Sequence, residues 1–168
     1  MSAGRCSPRD ASKTWAPRGD AEPTPNLATL SAIHAAHVDA IPFEGIDPLL
    51  RRPVNLDIAS LQSKLVDSRR GGYCFDQNLL FKAALDAIGF KITGLSGRVR
   101  WMSPPDSPLG PREHITLKVD LPEGSYLADV GFGVCVMDNP LPLDSTCHVQ
   151  CGAASTDPGD FHSDRRLA

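Results

Sequence analysis

The chain has 168 residues and a mass of 18.0 kDa, which is enough for one ordinary domain or for two small ones. It is 41% hydrophobic and 22% charged, as soluble globular proteins are, and its formal net charge of -3 gives no reason to expect nucleic acid or an anionic membrane as a partner. No apolar run approaches the roughly 20 residues of a membrane helix, so the sequence predicts a cytosolic protein.

The chain begins with a segment that predicts no regular structure. Residues 1 to 25 are rich in proline and charge and lack helical or strand periodicity, so we expect a disordered leader there. The pattern then changes, because Leu27, Leu30 and Ile33 recur at helical spacing. This spacing predicts an amphipathic helix over roughly 26 to 39.

Two more helices are predicted before residue 90. A turn segment, PFEGIDPLLRRP, is followed by an apolar stripe over residues 57 to 67, which predicts a second helix with Asn55 as its N-cap. A third helix is predicted over 74 to 88, where Gly89 is a natural C-terminal stop. The sequence therefore predicts a helical subdomain over 26 to 89.

After these helices the hydrophobic period becomes that of strands. FKITGLSGRVRWM predicts one or two strands, HITLKVDL alternates polar and apolar residues, and SYLADVGFG follows a PEGS turn as the next strand. The predicted fold class is therefore α+β, with an antiparallel β subdomain over 90 to 143. Residues 144 to 168 form a poorly patterned tail.

The stretch RRGGYCFDQN, residues 69 to 78, places Cys74 at the start of the third predicted helix. A thiol in the first turn of a helix ionises readily, because unpaired backbone N–H groups and the helix dipole favour negative charge. The same N–H groups can hold the oxyanion of a tetrahedral intermediate, and Gly71 and Gly72 allow a sharp turn and the close approach of a substrate carbonyl. Most cysteines are small buried hydrophobes, but the polar residues around Cys74 favour a nucleophile.

A thiolate nucleophile needs a base, and the base needs an orienting group. Of the five histidines, His114 opens a strand just after a loop, where its imidazole can face a cleft, whereas His34 and His37 on the first helix are interpreted as solvated or core-edge residues. Asp129 lies among apolar neighbours, where a buried carboxylate is costly unless it is paired. The sequence therefore predicts a catalytic set of Cys74, His114 and Asp129.

Strand parity places His114 and Asp129 on one sheet face, but the simplest register separates them. A two-residue turn at Glu123 and Gly124 would set Asp129 opposite Lys118, which is four residues or roughly 13 Å from His114 along the strand. A bulge or a shifted turn is therefore required.

The strings that carry these three residues resemble those of the arylamine N-acetyltransferases, particularly the bacterial ones. RGGYCFDQN is similar to the family's RGGYCFEQN, and IPFEGIDPLL is similar to its IPFENLD segment. HITLKVDL and YLADVGFG are similar to the strands that bear its histidine and aspartate. The four motifs agree in order and spacing, and the resemblance covers roughly residues 24 to 143.

The resemblance implies a papain-like arrangement, in which a helical subdomain packs on an antiparallel β-barrel or sheet. It also implies acetyl transfer from acetyl-CoA to arylamines and arylhydrazines by a ping-pong route, with acetyl-CoA as a cosubstrate and with no permanently bound cofactor or metal. Cys74 would accept the acetyl group, His114 would act as the base, and Asp129 would orient the imidazole.

The resemblance further implies residues that bind the two substrates. Phe43, in IPFEG, and Phe132, in VGFG, would line an apolar pocket for the aromatic acceptor. The loop at Gly110 and Pro111 would approach CoA.

The sequence departs from the family's pattern in several places. Asp76 stands where the family usually has glutamate, and Gly45 replaces the asparagine of IPFEN, which gives the loop more backbone freedom. Residues 1 to 22 do not match the family's N-terminal helix, and no counterpart of its third, α/β domain follows. We therefore expect impaired turnover, because that domain closes over the cleft.

Three alternatives remain open from the sequence. The same triad logic serves cysteine hydrolases and amide synthases. A catalytically silent remnant that at most binds a partner is the non-enzyme alternative. CHVQC, at 147 to 151, is a weak candidate for a metal site, because structural zinc usually needs four ligands.

Overall fold

A computed structural model describes residues 22–104, 106–133, 135 and 137–143, and the backbone alone of 150, 151, 154 and 155. The predicted leader (1 to 25) and the predicted tail (144 to 168) lie largely outside these described residues. Within the described part of the chain, no helix is long and apolar enough to cross a membrane.

The first helix, α1 (Leu27–Ala40), confirms the predicted helix to within one residue at each end. Asn26 caps it, because its side-chain oxygen accepts a hydrogen bond from the Thr29 backbone N–H at 2.8 Å. Leu30 and Ile33 are fully buried, as their helical spacing predicted.

The two histidines of α1 are also fully buried, so the interpretation of His34 and His37 as solvated or core-edge residues is wrong. Both imidazoles pack edge-on against Phe81, with ring centroids 5.6 and 5.4 Å apart. His34 and His37 follow Leu30 and Ile33 by four residues each, so all four lie on one buried face of the helix.

The chain between α1 and the nucleophile contains short helical pieces. The predicted turn segment includes α2 (Ile46–Leu49), and the predicted second helix consists of α3 (Ile58–Leu61) followed directly by a π-helix (Gln62–Asp67). Asn55 is not the N-cap that the sequence predicted. The cap is Asp57, whose carboxylate accepts a backbone N–H at 3.0 Å.

The predicted third helix is confirmed as α4 (Cys74–Ile88), and it ends at Gly89 in the left-handed conformation with φ of 100°. On one side its Leu80 packs in a cluster with Ile41, Leu61 and Leu65. On another, Phe81 packs in the main core with residues of the sheet, which include Leu117, Val119 and Ala128. Because α4 lies between the two clusters, the position of Cys74 at its N-terminus is firmly fixed.

The strands confirm the predicted α+β class. One antiparallel sheet has the order β1-β2-β3-β4, and β5 and β6 form a separate two-stranded pair. FKITGLSGRVRWM contributes a single strand, and the strand predicted in SYLADVGFG ends before Asp129. The strands are β1 (Lys91–Gly97), β2 (His114–Leu121), β3 (Gly124–Ala128), β4 (Leu141–Pro142), β5 (Gln150–Cys151) and β6 (Ala154–Ser155).

The β2–β3 turn lies one residue earlier than the sequence predicted. Leu121 pairs with Gly124, so the two turn residues are Pro122 and Glu123. Proline suits the second position of such a turn, and glycine is common at the fourth, where Gly124 has a φ of 149°. Of the bulge and the shifted turn that the sequence left open, the structure has the shifted turn.

This shift brings His114 and Asp129 together. Leu117 pairs with Ala128, so Asp129 follows β3 at the level of Thr116. His114 is then two residues away along the neighbouring strand instead of four. Such diagonal neighbours on one sheet face lie about 7–8 Å apart at Cα, which is within reach of their side chains.

Candidate active site

Cys74 is the first residue of α4, and it is buried, with a residue exposure of 9%. Its Sγ lies 3.7 Å from the backbone carbonyl oxygen of Glu113, the residue that precedes β2. Because the first backbone N–H groups of a helix have no partner within it, the N-terminus of α4 offers donors beside the sulfur.

The glycines before Cys74 are required by packing rather than by an unusual backbone angle. A Cβ added to Gly71 would lie 2.3 Å from the Pro42 carbonyl oxygen, and one added to Gly72 would lie 2.5 Å from the Asp76 Cβ. The Gly72 backbone also bridges to Phe43. The two glycines therefore let the 41–44 loop pack closely against the start of α4.

His114 and Asp129 form a buried pair, in which the imidazole Nε2 contacts the Asp129 carboxylate. Burial disfavours the charged ring, but the hydrogen bond to Asp129 and the nearby Cys74 outweigh this effect and raise the pKa of His114 to about 9. Cys74 Sγ lies 3.7 Å from the carbonyl oxygen of Glu113, the residue before His114, so the structure brings the three predicted residues together.

Asn78 holds Asp129 in place, and the sequence analysis did not single it out. Its Nδ2 donates to Asp129 Oδ1 at 2.9 Å and to the Ile115 carbonyl at 2.8 Å, and its Oδ1 accepts from the Val130 N–H at 3.1 Å. The Gly131 N–H donates to the same Asp129 oxygen at 2.9 Å. A signal was present in the sequence, because Asn78 follows Cys74 by four residues and so shares its helix face.

Gln77 ties α4 to the loop that precedes α2. Its Nε2 donates to the backbone carbonyls of Ile41, Pro42 and Gly72 at 3.0 to 3.3 Å. Its Oε1 lies 2.7 Å from His37 Nε2. Sequence reasoning also missed this residue, because its partners are distant along the chain.

The two predicted acceptor-binding residues lie at the site. The Phe132 ring meets His114 edge-on, with centroids 5.2 Å apart. Phe43 is 49% exposed, and a Cβ added to Gly133 would lie 3.3 Å from its ring. The Phe132 ring therefore borders the imidazole, and the binding of an aromatic acceptor by Phe43 and Phe132 stays a prediction.

Gly110 and Pro111 are exposed in the loop between β1 and β2. The Gly110 carbonyl accepts a hydrogen bond from Arg98 Nε at 2.8 Å. Their contact with CoA stays a prediction. Among the described residues no cluster of histidine, cysteine and carboxylate side chains has the form of a metal site, and most of the CHVQC segment lies outside them.

Asp76, which stands where the family usually has glutamate, pairs with Lys64, whose Nζ lies 2.7 Å from its carboxylate. Arg70 donates to Glu44 at 2.7 Å and to Asp47 at 2.8 Å. Both basic residues thus hold the segments around the N-terminus of α4.

The arrangement as a whole has the parts that acyl transfer needs. A thiol lies at a helix N-terminus, a histidine with a raised pKa can exchange a proton with it, and a buried carboxylate orients the histidine. The apolar rings beside the histidine can hold an aromatic acceptor.

Comparisons with known proteins agree with this geometry. A family model described as N-acetyltransferase matches residues 26–157. The arylamine N-acetyltransferase of Mycolicibacterium smegmatis is 48% identical over 129 residues, which are 75% of this chain and 47% of that relative.

Two solved structures extend the comparison to the fold. The arylamine N-acetyltransferase from Salmonella typhimurium has a TM-score of 0.76 and 40% identity, and covers 89% of this chain and 53% of that one. The Mycobacterium marinum arylamine N-acetyltransferase in complex with CoA has a TM-score of 0.71 and 42% identity, and covers 76% of this chain and 48% of that one. They confirm the papain-like arrangement. The chain spans about half the length of the relatives it matches.

Proposed function

Because the chain belongs to the arylamine N-acetyltransferase family, we propose that it transfers an acetyl group from acetyl-CoA to the nitrogen of an arylamine or arylhydrazine. The observation that carries this proposal is the position of Cys74 at the N-terminus of α4, next to the buried pair of His114 and Asp129. Such a cysteine is suited to form a thioester.

In the first half-reaction, Cys74 Sγ attacks the thioester carbonyl of acetyl-CoA as a thiolate. The backbone N–H groups at the start of α4 stabilise the oxyanion that forms. The intermediate collapses with loss of the CoA sulfur, which takes the proton from the His114 imidazolium. The products are acetyl-Cys74, free CoA and neutral His114.

In the second half-reaction, the amine nitrogen attacks the carbonyl of acetyl-Cys74. Neutral His114 takes a proton from that nitrogen, and the intermediate collapses with loss of the Cys74 thiolate. The acetylated amine leaves, and the thiolate and imidazolium are restored. Asp129 holds the ring in one orientation and stabilises its charged form through both steps.

We assign acceptor binding to Phe43 and Phe132, because their rings border His114 and the Gly133 backbone. We assign the approach of CoA to the loop at Gly110 and Pro111, which is exposed and leads to Glu113 and so to the carbonyl beside the thiol. Acetyl-CoA is a cosubstrate in this scheme, and the acceptor is a small aromatic amine.

We also retain the predicted division into a helical subdomain over 26 to 89, which supplies Cys74, and a β subdomain over 90 to 143, which supplies His114 and Asp129. A cytosolic location fits a reaction in which acetyl-CoA is the donor.

Product analysis tests the proposal directly. The chain is incubated with acetyl-CoA and aniline, and acetanilide, acetate and free CoA are quantified for the wild type and for Cys74→Ser. We expect equal amounts of acetanilide and CoA from the wild type, and neither product above background from Cys74→Ser.

Two outcomes would contradict acetyl transfer. Release of acetate and CoA without acetanilide would identify a cysteine hydrolase. No product at all, together with iodoacetamide labelling of Cys74 no faster than that of Cys6, would identify a catalytically silent chain.

A further inference from the structure

Asp76 is a fully buried carboxylate in the first turn of α4, two residues after the proposed nucleophile. Its Oδ2 lies 2.7 Å from Lys64 Nζ and accepts the Tyr73 backbone N–H at 3.3 Å. Its Oδ1 is buried and has no hydrogen-bond partner among the described residues. A buried carboxylate with so few donors depends strongly on its counter-ion. Lys64 is that counter-ion.

Lys64 reaches Asp76 from the π-helix. π-Helical turns are rare and often occur at functional sites. Burial disfavours its charged form, but hydrogen bonds to Asp76 and Asp47 outweigh this and raise the pKa of Lys64, so it stays charged. Its Nζ lies 3.1 Å from Asp47 Oδ2, so one ammonium group joins two carboxylates.

The pair continues into the loop that leads to Cys74. Asp47 also accepts from Arg70 at 2.8 Å, and Arg70 donates to Glu44 at 2.7 Å. The Glu44 backbone N–H in turn donates to the Gly72 carbonyl at 3.0 Å. Alternating charges therefore connect α4, the π-helix and the backbone just before Cys74.

Several titratable and charged groups surround the first turn of α4. From the sheet side, the exposed Glu113 places its backbone carbonyl 3.7 Å from the sulfur, and the buried pair of His114 and Asp129 lies next to it. Tyr73 precedes Cys74 at the helix start. The loops and the π-helix contribute Asp47, Glu44, Arg70 and Lys64 around Asp76.

The charge on Asp76 opposes a second negative charge on Cys74, because two like charges in a poorly solvated site repel each other. We propose that Lys64 is a positioning residue for Cys74: its ammonium group neutralises Asp76 and holds the first turn of α4 in the conformation in which Cys74 ionises beside His114. This inference rests on the proposed function, in which Cys74 reacts as a thiolate.

The choice of substitution follows from the surroundings of Lys64. A cavity of about 300 Å³ is lined by Lys64, Asp76 and Arg70, and by none of the three triad residues. A truncation to alanine would enlarge this cavity and admit water to Asp76. Lys64→Met keeps the length of the side chain and removes only its charge.

The test measures the rate at which iodoacetamide alkylates Cys74 as a function of pH, with the modified residue identified by peptide mass spectrometry. For Lys64→Met we expect the pH midpoint to rise by about one unit and the rate at neutral pH to fall about tenfold. Lys64→Arg keeps the charge and should label within about twofold of the wild type. Thermal unfolding checks that each variant is folded.

The double variant Lys64→Met/Asp76→Asn separates charge from packing. It leaves no unpaired buried charge, so its midpoint should return to that of the wild type. Asp76→Asn alone should lower the midpoint, because Lys64 then faces the site without this carboxylate. Lys82→Met is the matched control, since it removes a partly exposed ion pair with Asp86 farther along the same helix.

An unchanged midpoint in folded Lys64→Met would overturn the inference. If Lys64→Met does not fold, the other two variants provide the test. A pH midpoint of Cys74 alkylation above that of the wild type in the folded double variant, or an unchanged midpoint in Asp76→Asn, would also overturn the inference. A wild type in which Cys74 labels no faster than Cys6 at any pH would instead contradict the proposed function, so the two failures are distinguishable.

Discussion

Helix α4 is held in different ways on its two sides. Its sheet side carries Cys74 and Asn78, and Asn78 binds Asp129 and two backbone groups through buried hydrogen bonds. Its loop side carries Asp76 and Gln77, which bind an ammonium group, a histidine and three backbone carbonyls. Both sides fix the same nucleophile, one mainly through neutral donors and the other partly through charge.

This difference predicts how each side responds to change. Hydrogen bonds on the buried sheet side set the distances within the proposed triad, so their loss should act first on the reaction rate. Contacts on the loop side depend on counter-ions, so they should respond to single charge changes. Each side also contains a buried histidine with a shifted pKa, so stability should respond to pH on both sides, in opposite directions.

The largest effect should come from removing the charge of Asp129, the carboxylate on the sheet side. Asp129→Asn keeps the shape of the side chain but removes the charge that supports the His114 imidazolium. We expect the rate of acetyl transfer to fall by about 10⁴-fold, as in triads that lose this charge. Stopped-flow or steady-state release of CoA measures it. Activity within tenfold of the wild type would show that Asp129 does not support the base.

A second substitution removes the hydrogen bonds of Asn78, the residue that holds Asp129. Asn78→Ala leaves Val130 N–H and the Ile115 carbonyl unpaired in a buried site and removes one donor from Asp129. We expect a loss of about 4 kcal/mol in the free energy of unfolding, from two or three groups at about 1–3 kcal/mol each. Urea unfolding measures it.

The exposed Asn139→Ala is the matched control for Asn78→Ala and should change stability by less than about 0.5 kcal/mol. Equal effects of the two substitutions would contradict the assignment of Asn78 as the residue that holds Asp129.

The protonation of His114, on the sheet side, should also make the free energy of unfolding depend on pH in alkaline solution. The folded pKa of His114, about 9, is higher than its ordinary 6.5, so the folded protein binds the proton more tightly. The resulting stability is fully present below pH 6.5 and is lost as the pH rises through 9, a decrease on the order of 3 kcal/mol. Urea unfolding at successive pH values measures this slope. A His114→Gln variant should lack it; the same slope in both proteins would contradict the raised pKa.

A smaller effect of pH on stability, opposite in sign, should come from His37 on the loop side. Burial lowers the pKa of His37 to about 4, although its hydrogen bond to Gln77 acts in the other direction. The neutral ring is favoured in the folded protein, so its stability contribution is present above pH 6.5 and is lost on acidification toward pH 4. Between pH 6.5 and 5 we expect a loss of about 2 kcal/mol.

His37→Gln, which retains an amide to bond Gln77, should flatten this acid slope in urea unfolding. If the slope is unchanged in the variant, other groups cause the acid sensitivity and His37 does not titrate with folding.

The sequence predicted best what depends on neighbouring residues. The bounds of α4 and its stop at Gly89 follow from periodicity and from the conformational freedom of glycine, so they were confirmed. The triad was recognisable because its residue types stand in strings with known relatives, and its geometry required only the shifted turn at Pro122 and Glu123. That shift was not readable, because both turn positions are chemically acceptable.

What the sequence did not reveal depends on contacts between distant segments. Asn78 and Asp129 are 51 residues apart, and Lys64 and Asp76 are 12 apart on different elements. No local pattern marks such pairs. The burial of His34 and His37 was missed because histidine is polar, although a spacing of four residues from Leu30 and Ile33 places both on the same buried helix face.

Intact-mass spectrometry of the chain after mixing with acetyl-CoA, without an amine, tests the central claim most directly. We predict that the wild type gains one acetyl group, that the group maps to Cys74 and leaves on addition of an arylamine, and that Cys74→Ser gains none. A folded wild type that stays unmodified, or an adduct of equal amount on Cys74→Ser, would contradict the claim that this sulfur carries the acetyl group.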